Sequence, residues 1–113
     1  MSAPAAARSR RAKREKWEDF TQAGPGTPLG TIFRRHWQPV LLSSELEPGQ
    51  ARPMRRLNED LTIYRGKSGQ PYIVDERCAH RQTLLHIGWV EEECLRCYFH
   101  GWKYDGTGQC VEQ

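Results

Sequence analysis

The chain has 113 residues, of which 37% are hydrophobic and 27% charged, as is typical of one small globular domain. It has no run of the roughly 20 apolar residues that a transmembrane helix needs. The net charge of +3 belongs to the N-terminus, because residues 1–16 hold six Lys and Arg against Glu15 alone; removing them from the 17 basic and 14 acidic residues leaves 11 and 13. A basic nucleic-acid surface on the remainder is therefore not expected.

Residues 1–25 are predicted to be a disordered basic tail, since the first sixteen are rich in Ala, Arg and Ser and have no apolar periodicity. Ser9-Arg10-Arg11 is similar to a twin-arginine export signal, but no apolar segment follows it. A transit peptide and a weak nucleic-acid or membrane contact stay open as alternatives to a solvated tail. The solvated tail is the preferred interpretation, so we expect a cytoplasmic protein with neither nucleic-acid nor membrane partners.

A short helix is predicted after the Gly/Pro-rich segment 24–28, with Thr27 as the N-cap and Pro28 at the first helical position. Pro39 ends it, and residues 40–42 are expected to form a short buried strand. The apolar residues of the helix fall on one face at offsets of 0, 3, 4 and 8: Leu29, Ile32, Phe33 and Trp37.

Short strand-like runs separated by turn residues fill the rest of the chain. Residues 61–65 alternate as a half-buried strand does. This pattern predicts a mainly β fold: a small antiparallel β domain with a short N-terminal helix. The predicted strands are Met54–Leu57, Leu61–Arg65, Tyr72–Asp75, Trp89–Val90, Cys94–Cys97, Trp102–Tyr104 and Gln109–Val111.

Two short segments each pair one cysteine with one histidine. Cys78-Ala79-His80 and Cys97-Tyr98-Phe99-His100 are separated by 16 residues and lie among turn-forming residues. Buried structural thiols with ordinary histidines are one interpretation, which two coincident pairs disfavour. A tetrahedral zinc site, extended by Cys94-Leu95-Arg96-Cys97, is another, although Cys78-x-His80 is tighter than the usual zinc knuckle.

A Rieske [2Fe–2S] cluster fits the two segments better, because two His there replace two Cys on one of the irons. Each loop would give its cysteine to one iron and its histidine to the other, so the two pairs have to diverge. The predicted metal ligands are Cys78, His80, Cys97 and His100.

Two stretches of sequence resemble the Rieske oxygenases, which are ring-hydroxylating non-haem iron enzymes. ERCAHRQTLLHIGWVEEECLRCYFHGWKYDGTGQCVEQ (76–113) is similar to their Rieske segment, and GTPLGTIFRRHWQPVLLSSEL (26–46) to the opening of the phthalate-dioxygenase-like large subunit. The resemblance implies a Rieske domain over residues 26–113 that lacks its last strands. It also implies an N-terminal fragment without the catalytic iron domain, so no residue here is predicted to be catalytic.

The same resemblance implies one-electron transfer and a set of partners. These are a reductase or ferredoxin donor and a catalytic oxygenase domain, either the missing C-terminal part or a neighbouring subunit. The full-length form is expected to be a homo-oligomer that acts on an aromatic compound. A freestanding ferredoxin-type electron carrier is the alternative to an oxygenase domain. A zinc-binding module is the third hypothesis.

The cluster's neighbours are expected to favour a low reduction potential. The positions that carry a disulfide in high-potential Rieske proteins look like Thr83 and Phe99, and Trp102 replaces a serine that bonds a cluster sulfur there. Tyr104 matches a tyrosine that bonds a ligand sulfur. Arg81 is expected to dock on an acidic partner surface or to be solvated.

The remaining polar and aromatic residues receive structural interpretations. Cys94 and Cys110 are expected to be structural thiols, with ligands or a disulfide as the alternatives. His36 is expected to be a structural residue and His86 a surface residue, with a hydrogen-bond donor near the cluster as the alternative for His86. Residues 91–93, all Glu, are expected to be a solvated turn, with a docking patch for a reductase as the alternative. Core or loop-packing roles are expected for Trp37, Trp89 and Trp102.

Overall fold

The computed structural model describes residues 21–113. Residues 1–20 of the tail predicted for residues 1–25 therefore lie outside the described residues. Residues 21–113 include two small antiparallel sheets, a six-residue helix and two 3-10 turns, which confirms the mainly β prediction. No helix within residues 21–113 is long and apolar enough to cross a membrane.

The chain divides into two compact units, and the first comprises residues 21–39 and 57–59 of the described part. Its helix α1 (Pro28–Phe33) begins as predicted, because Thr27 Oγ1 accepts a hydrogen bond from the Gly30 N–H at 3.1 Å. The helix ends after six residues, where the guanidinium of Arg34 donates to Ala23 O at 2.9 Å and to Glu59 at 2.6 Å.

The helical face predicted from four apolar residues is wrong at its last member, because α1 stops at Phe33 and does not reach Trp37. Trp37 is fully exposed, so its expected packing role is wrong as well. Ile32, which does lie in α1, is 54% exposed. Residues 40–42 are not a strand either. Leu42 instead leads into the 3-10 turn Ser43–Glu45, and its N–H donates to the Glu45 carboxylate at 3.3 Å.

The second unit comprises residues 40–56 and 60–113, and its first sheet has β2 in the centre. Strands β1 (Ala51–Arg56), β2 (Glu59–Arg65) and β3 (Pro71–Asp75) lie in that order, and β2 pairs with β3 around Ile63 opposite Ile73. The half-buried pattern expected for β2 is wrong. Ile63 packs on one face with Leu46 and Met54, while Tyr64 enters a second cluster on the other.

The second sheet carries the larger core. Its order is β4 (Trp89–Glu91), β5 (Cys94–Arg96), β6 (Lys103–Tyr104) and β7 (Cys110–Glu112). Apolar residues of β4, β5 and β6 meet those of β2 and β3 and the 3-10 turn Leu85–Ile87. The buried members of this core are Tyr64, Val74, Cys78, Leu85, Val90, Leu95, Cys97 and Tyr104.

The three consecutive glutamates are mostly engaged, so the expected solvated turn is wrong for two of them. Glu93 accepts hydrogen bonds from the Ser68 N–H at 2.9 Å and from Tyr72 Oη at 2.8 Å, which ties the turn after β2 to the turn after β4. Glu91 pairs with Arg96 at 2.7 Å. Glu92 is exposed, with a left-handed backbone at φ 54°.

Candidate metal centre

The first Cys–His pair lies in loop 1 (residues 78–83), which follows β3. The backbone closes this loop on itself, because the Cys78 N–H donates to Thr83 O at 2.8 Å and the Gln82 N–H donates to Cys78 O at 2.9 Å. Outside these bonds, Arg77 pairs with Leu84 in an isolated antiparallel bridge. Cys78 thus starts a six-residue loop whose ends are fixed.

The second pair lies in loop 2 (residues 97–102), which follows β5 and repeats the same bonds. The Cys97 N–H donates to Trp102 O at 2.7 Å, and the Gly101 N–H donates to Cys97 O at 3.1 Å. In both loops the cysteine N–H thus donates to the carbonyl of the fifth residue after the cysteine. The cysteine carbonyl accepts from the N–H of the fourth residue after it. The two ligand-bearing segments therefore share one backbone frame.

An arginine precedes each cysteine and makes the same contact in each loop. Arg77 Nη1 donates to Gln82 O at 3.0 Å, and Arg96 Nη1 donates to Gly101 O at 2.6 Å. Sequence reasoning missed these two residues, although the repeated Arg-Cys dipeptide was a visible signal. Each arginine therefore holds a backbone carbonyl that lies one or two residues after the histidine of its loop.

The two cysteines are buried and lie in the larger core, each with 2% of its surface exposed. Tyr104 Oη accepts from the Ala79 N–H at 2.9 Å and lies 3.1 Å from Cys78 Sγ, so its own proton is free to point at that sulfur. This is the tyrosine–sulfur contact that the resemblance implied. Burial alone would raise the pKa of Cys78, but hydrogen bonds from Tyr104, the His80 backbone and Cys97 lower it overall.

The two histidines are exposed, in contrast to the cysteines. The ring centroids of His80 and His100 lie 4.7 Å apart, with an angle of 62° between the planes. Trp102 stacks on His80 at 4.6 Å with the rings nearly parallel, and Phe99 lies 3.9 Å from the His100 ring. Desolvation, followed by the charges of His100 and Arg81, lowers the pKa of His80, which favours the neutral imidazole that binds metals.

The donors therefore form two pairs, one of buried thiols and one of surface imidazoles. Within residues 21–113, no three His, Cys, Asp or Glu side chains are grouped as ligands of a single metal ion. Two separate pairs are what a two-iron cluster with Cys on one iron and His on the other uses. The residues present fit such a cluster, and each pKa shift favours the ligating form of its side chain.

The other two cysteines and two histidines lie outside the two loops. Cys94 and Cys110 are free thiols on β5 and β7, both half-buried. His36 is exposed and follows α1 in the first unit. The surface position expected for His86 is wrong, because the residue is half-buried in the 3-10 turn after loop 1 and its Nδ1 is buried without a hydrogen-bond partner.

Known proteins match the chain in sequence and structure. The family model for the Rieske [2Fe-2S] domain matches residues 36–113. The 5,5'-dehydrodivanillate O-demethylase oxygenase subunit of Sphingobium sp. is 41% identical over 99 residues, 88% of this chain and 23% of that protein. The phthalate 4,5-dioxygenase oxygenase subunit of Pseudomonas putida is 41% identical over 87 residues, 75% of this chain and 20% of that protein.

A solved structure of the reduced complex between oxygenase and ferredoxin in carbazole 1,9a-dioxygenase is also similar. It superposes with a TM-score of 0.55 at 30% identity, over 64% of this chain and 19% of that one. The chain thus spans about a quarter or less of the length of these relatives. With the family model covering most of its residues, the chain belongs to the Rieske [2Fe-2S] domain family, whose cofactor is a Rieske-type [2Fe–2S] cluster.

Proposed function

We propose that this chain transfers single electrons as the Rieske domain of an aromatic-ring-hydroxylating oxygenase subunit. Cys78 and Cys97 hold one iron of the cluster, and His80 and His100 hold the other. When bound, the cluster supplies a site that accepts and releases one electron. The catalytic iron that uses the electron is proposed to lie in an oxygenase catalytic domain outside these 113 residues.

The observation that carries this proposal is the division of the donors between core and surface. The two thiols are 2% exposed, so the protein shields their iron from water. The two imidazoles lie 4.7 Å apart at the surface, so the opposite edge of the site faces outward. An electron carrier needs such an arrangement, because a partner has to come close to the redox centre.

The surface beside the histidines supports a protein partner. Arg81 follows His80 and is exposed, and the aromatic side chains of Tyr98 and Phe99 are 68% and 59% exposed next to His100. A positive charge beside exposed aromatic area suits an acidic redox protein. We propose a ferredoxin or reductase as the donor, in agreement with the oxygenase–ferredoxin complex among the similar structures.

The segment before the Rieske match favours an oxygenase subunit over a freestanding carrier. The 99-residue similarity to the demethylase oxygenase subunit is longer than residues 36–113, so it extends into the part that precedes His36. That part includes α1 and the stretch that resembles the opening of oxygenase large subunits. The proposed electron acceptor is therefore the catalytic iron of an oxygenase, on the same or a neighbouring subunit.

Cluster assembly tests the ligand assignment. The purified protein should be red-brown, contain two irons per chain and give a rhombic EPR signal when reduced. Cys78→Ser and His100→Ala should abolish the cluster. Cys94→Ser and His36→Ala are matched controls and should load normally, because neither residue lies in a cluster loop.

Two results would overturn the proposal. A colourless wild-type protein with one zinc per chain would replace it with the zinc-binding alternative. Normal iron content in Cys78→Ser or His100→Ala would refute the ligand set. Electron transfer is tested separately by stopped-flow oxidation of the reduced protein, and failure to exchange electrons with any ferredoxin or oxygenase catalytic domain would contradict the carrier role.

A further inference from the structure

Arg96 joins loop 2 to a group of charges on the second sheet. The Arg96 side chain is 16% exposed, and its guanidinium contacts Glu91 Oε2 at 2.7 Å and Glu112 Oε2 at 3.3 Å. The remaining arm, Nη1, donates to Gly101 O at 2.6 Å. A planar guanidinium held on two other sides presents that arm in a fixed direction.

The carbonyl that Arg96 holds is next to a proposed ligand. Gly101 follows His100 directly, and its own N–H donates to Cys97 O at 3.1 Å. The peptide groups on both sides of Gly101 are therefore fixed, one by the backbone and the other by Arg96. The His100 ring is exposed. The backbone conformation at residues 100–101 therefore largely determines how the ring is oriented.

We infer that Arg96 is a positioning residue for the histidine edge of the cluster, acting on His100 through the Gly101 carbonyl. Glu91 and Glu112 contribute to this role, because their ion pairs with the guanidinium keep Nη1 pointing at loop 2. The inference rests on the ligand assignment proposed above. Arg96 would bind no metal itself but would fix the position of a metal ligand.

Loop 1 contains the same contact in a weaker setting. Arg77 donates to Gln82 O at 3.0 Å, but half of its side chain is exposed, and its carboxylate contact, Glu76, is 3.5 Å away. Exposed pairs of this kind contribute little to stability. Arg96 should therefore matter more than Arg77, although both occupy the same position relative to their cysteines.

The experiment measures cluster properties in Arg96→Lys and Arg96→Gln. Lysine keeps the charge but not the planar fork, and glutamine loses both. In each variant we expect the g values of the reduced cluster to shift and iron to be lost to a chelator about tenfold faster, in the range seen when residues that orient metal ligands are replaced. Arg77→Lys should show a smaller change in both measurements.

Lys103→Gln is the matched control for charge. Lys103 contacts Glu91 at 3.3 Å and Glu112 at 3.9 Å, so the variant removes a positive charge from the same group and leaves the Arg96–Gly101 bond in place. Its g values and rate of iron loss should equal those of the wild type. A shift as large as in Arg96→Gln would show that charge alone is responsible and would overturn the inference.

Unchanged g values and iron loss in both Arg96 variants would likewise overturn the inference. If these variants fail to fold, Glu91→Gln decides the question, because it loosens the guanidinium without removing it. A g shift in Glu91→Gln supports the positioning role, and an unchanged spectrum contradicts it. A wild-type protein without a rhombic signal would instead refute the underlying ligand assignment.

Discussion

Gln82 and Gly101 occupy the same place in the two loops that carry the proposed ligands. Each is the fourth residue after its loop's cysteine, and each has a left-handed backbone, with φ 60° at Gln82 and 80° at Gly101. Their N–H groups both donate to the cysteine carbonyl. Loop 2 has glycine at this left-handed position, where no strain arises. Loop 1 has glutamine there, and the Cβ of a non-glycine residue strains a left-handed backbone.

Gln82→Gly should therefore stabilise the protein by about 0.5–1 kcal/mol, because glycine relieves the left-handed strain at a small cost in unfolded-state entropy. Urea unfolding of the cluster-loaded protein measures the change. Gly101→Ala is the reciprocal variant and should destabilise by about 1 kcal/mol. A loss of stability in Gln82→Gly would contradict the equivalence of the two positions.

Tyr104→Phe should lower the reduction potential of the cluster. The variant removes the Oη that lies 3.1 Å from Cys78 Sγ, and a hydrogen bond to a ligand sulfur stabilises the reduced state. It also removes the acceptor of the Ala79 N–H, at a cost of about 1 kcal/mol in stability. Protein-film voltammetry and urea unfolding report the two effects.

Tyr64→Phe is the control for this prediction. The Tyr64 hydroxyl, on β2, donates to the backbone carbonyl of Glu93 at 2.9 Å, and both residues lie outside the two loops. The variant should also lose stability while the potential stays at the wild-type value. An equal fall in potential in both tyrosine variants would show that general loosening, rather than the sulfur contact, sets the potential.

The Glu91–Arg96 pair should give the fold an acid-sensitive component. Hydrogen bonds from Arg96, opposed by desolvation and assisted by Lys103, lower the pKa of Glu91 from 4.5 to about 2. The folded chain therefore binds a proton here more weakly than the unfolded chain does. The resulting stabilisation is complete above pH 4.5 and is lost as the pH falls towards 2.

Comparison of the wild type with Glu91→Gln over pH 3–7 tests this expectation, since acid effects on the cluster are common to both proteins. The wild type should be more stable at pH 7, and the difference in unfolding free energy should narrow below pH 4.5. A difference that stays constant from pH 7 to pH 3 would show that the Glu91 carboxylate does not titrate as described.

Glu93→Ala should destabilise the protein more than Glu92→Ala. The first variant leaves the Ser68 N–H and the Tyr72 hydroxyl without their carboxylate acceptor, whereas the Glu92 side chain is exposed. The hydrogen bonds from Ser68 and Tyr72 lower the pKa of Glu93, so the difference should shrink in acid. Equal midpoints of urea unfolding at pH 7 would contradict the bridging role of Glu93.

The sequence by itself determined the type of cofactor and the positions of most strands, and it predicted the four candidate ligands. Two Cys–His pairs with unequal spacing predict a two-iron cluster because the ligand types and their order are chemical properties of short segments. Turn residues mark the ends of the strands in the same local way, so β3, β4 and β5 lie within one residue of their predicted positions.

Only the tertiary structure decided burial and the side chains that brace the loops. Apolar residues at 40–42 were expected to form a strand, but Val40 and Leu41 pack against the cluster of Leu46, Met54 and Ile63 without strand pairing. The role of Arg96 depends on Glu91, Glu112 and Gly101, which three different segments bring together. Contacts between distant segments leave no periodic signal, since they arise only when the strands pair and the sheets pack.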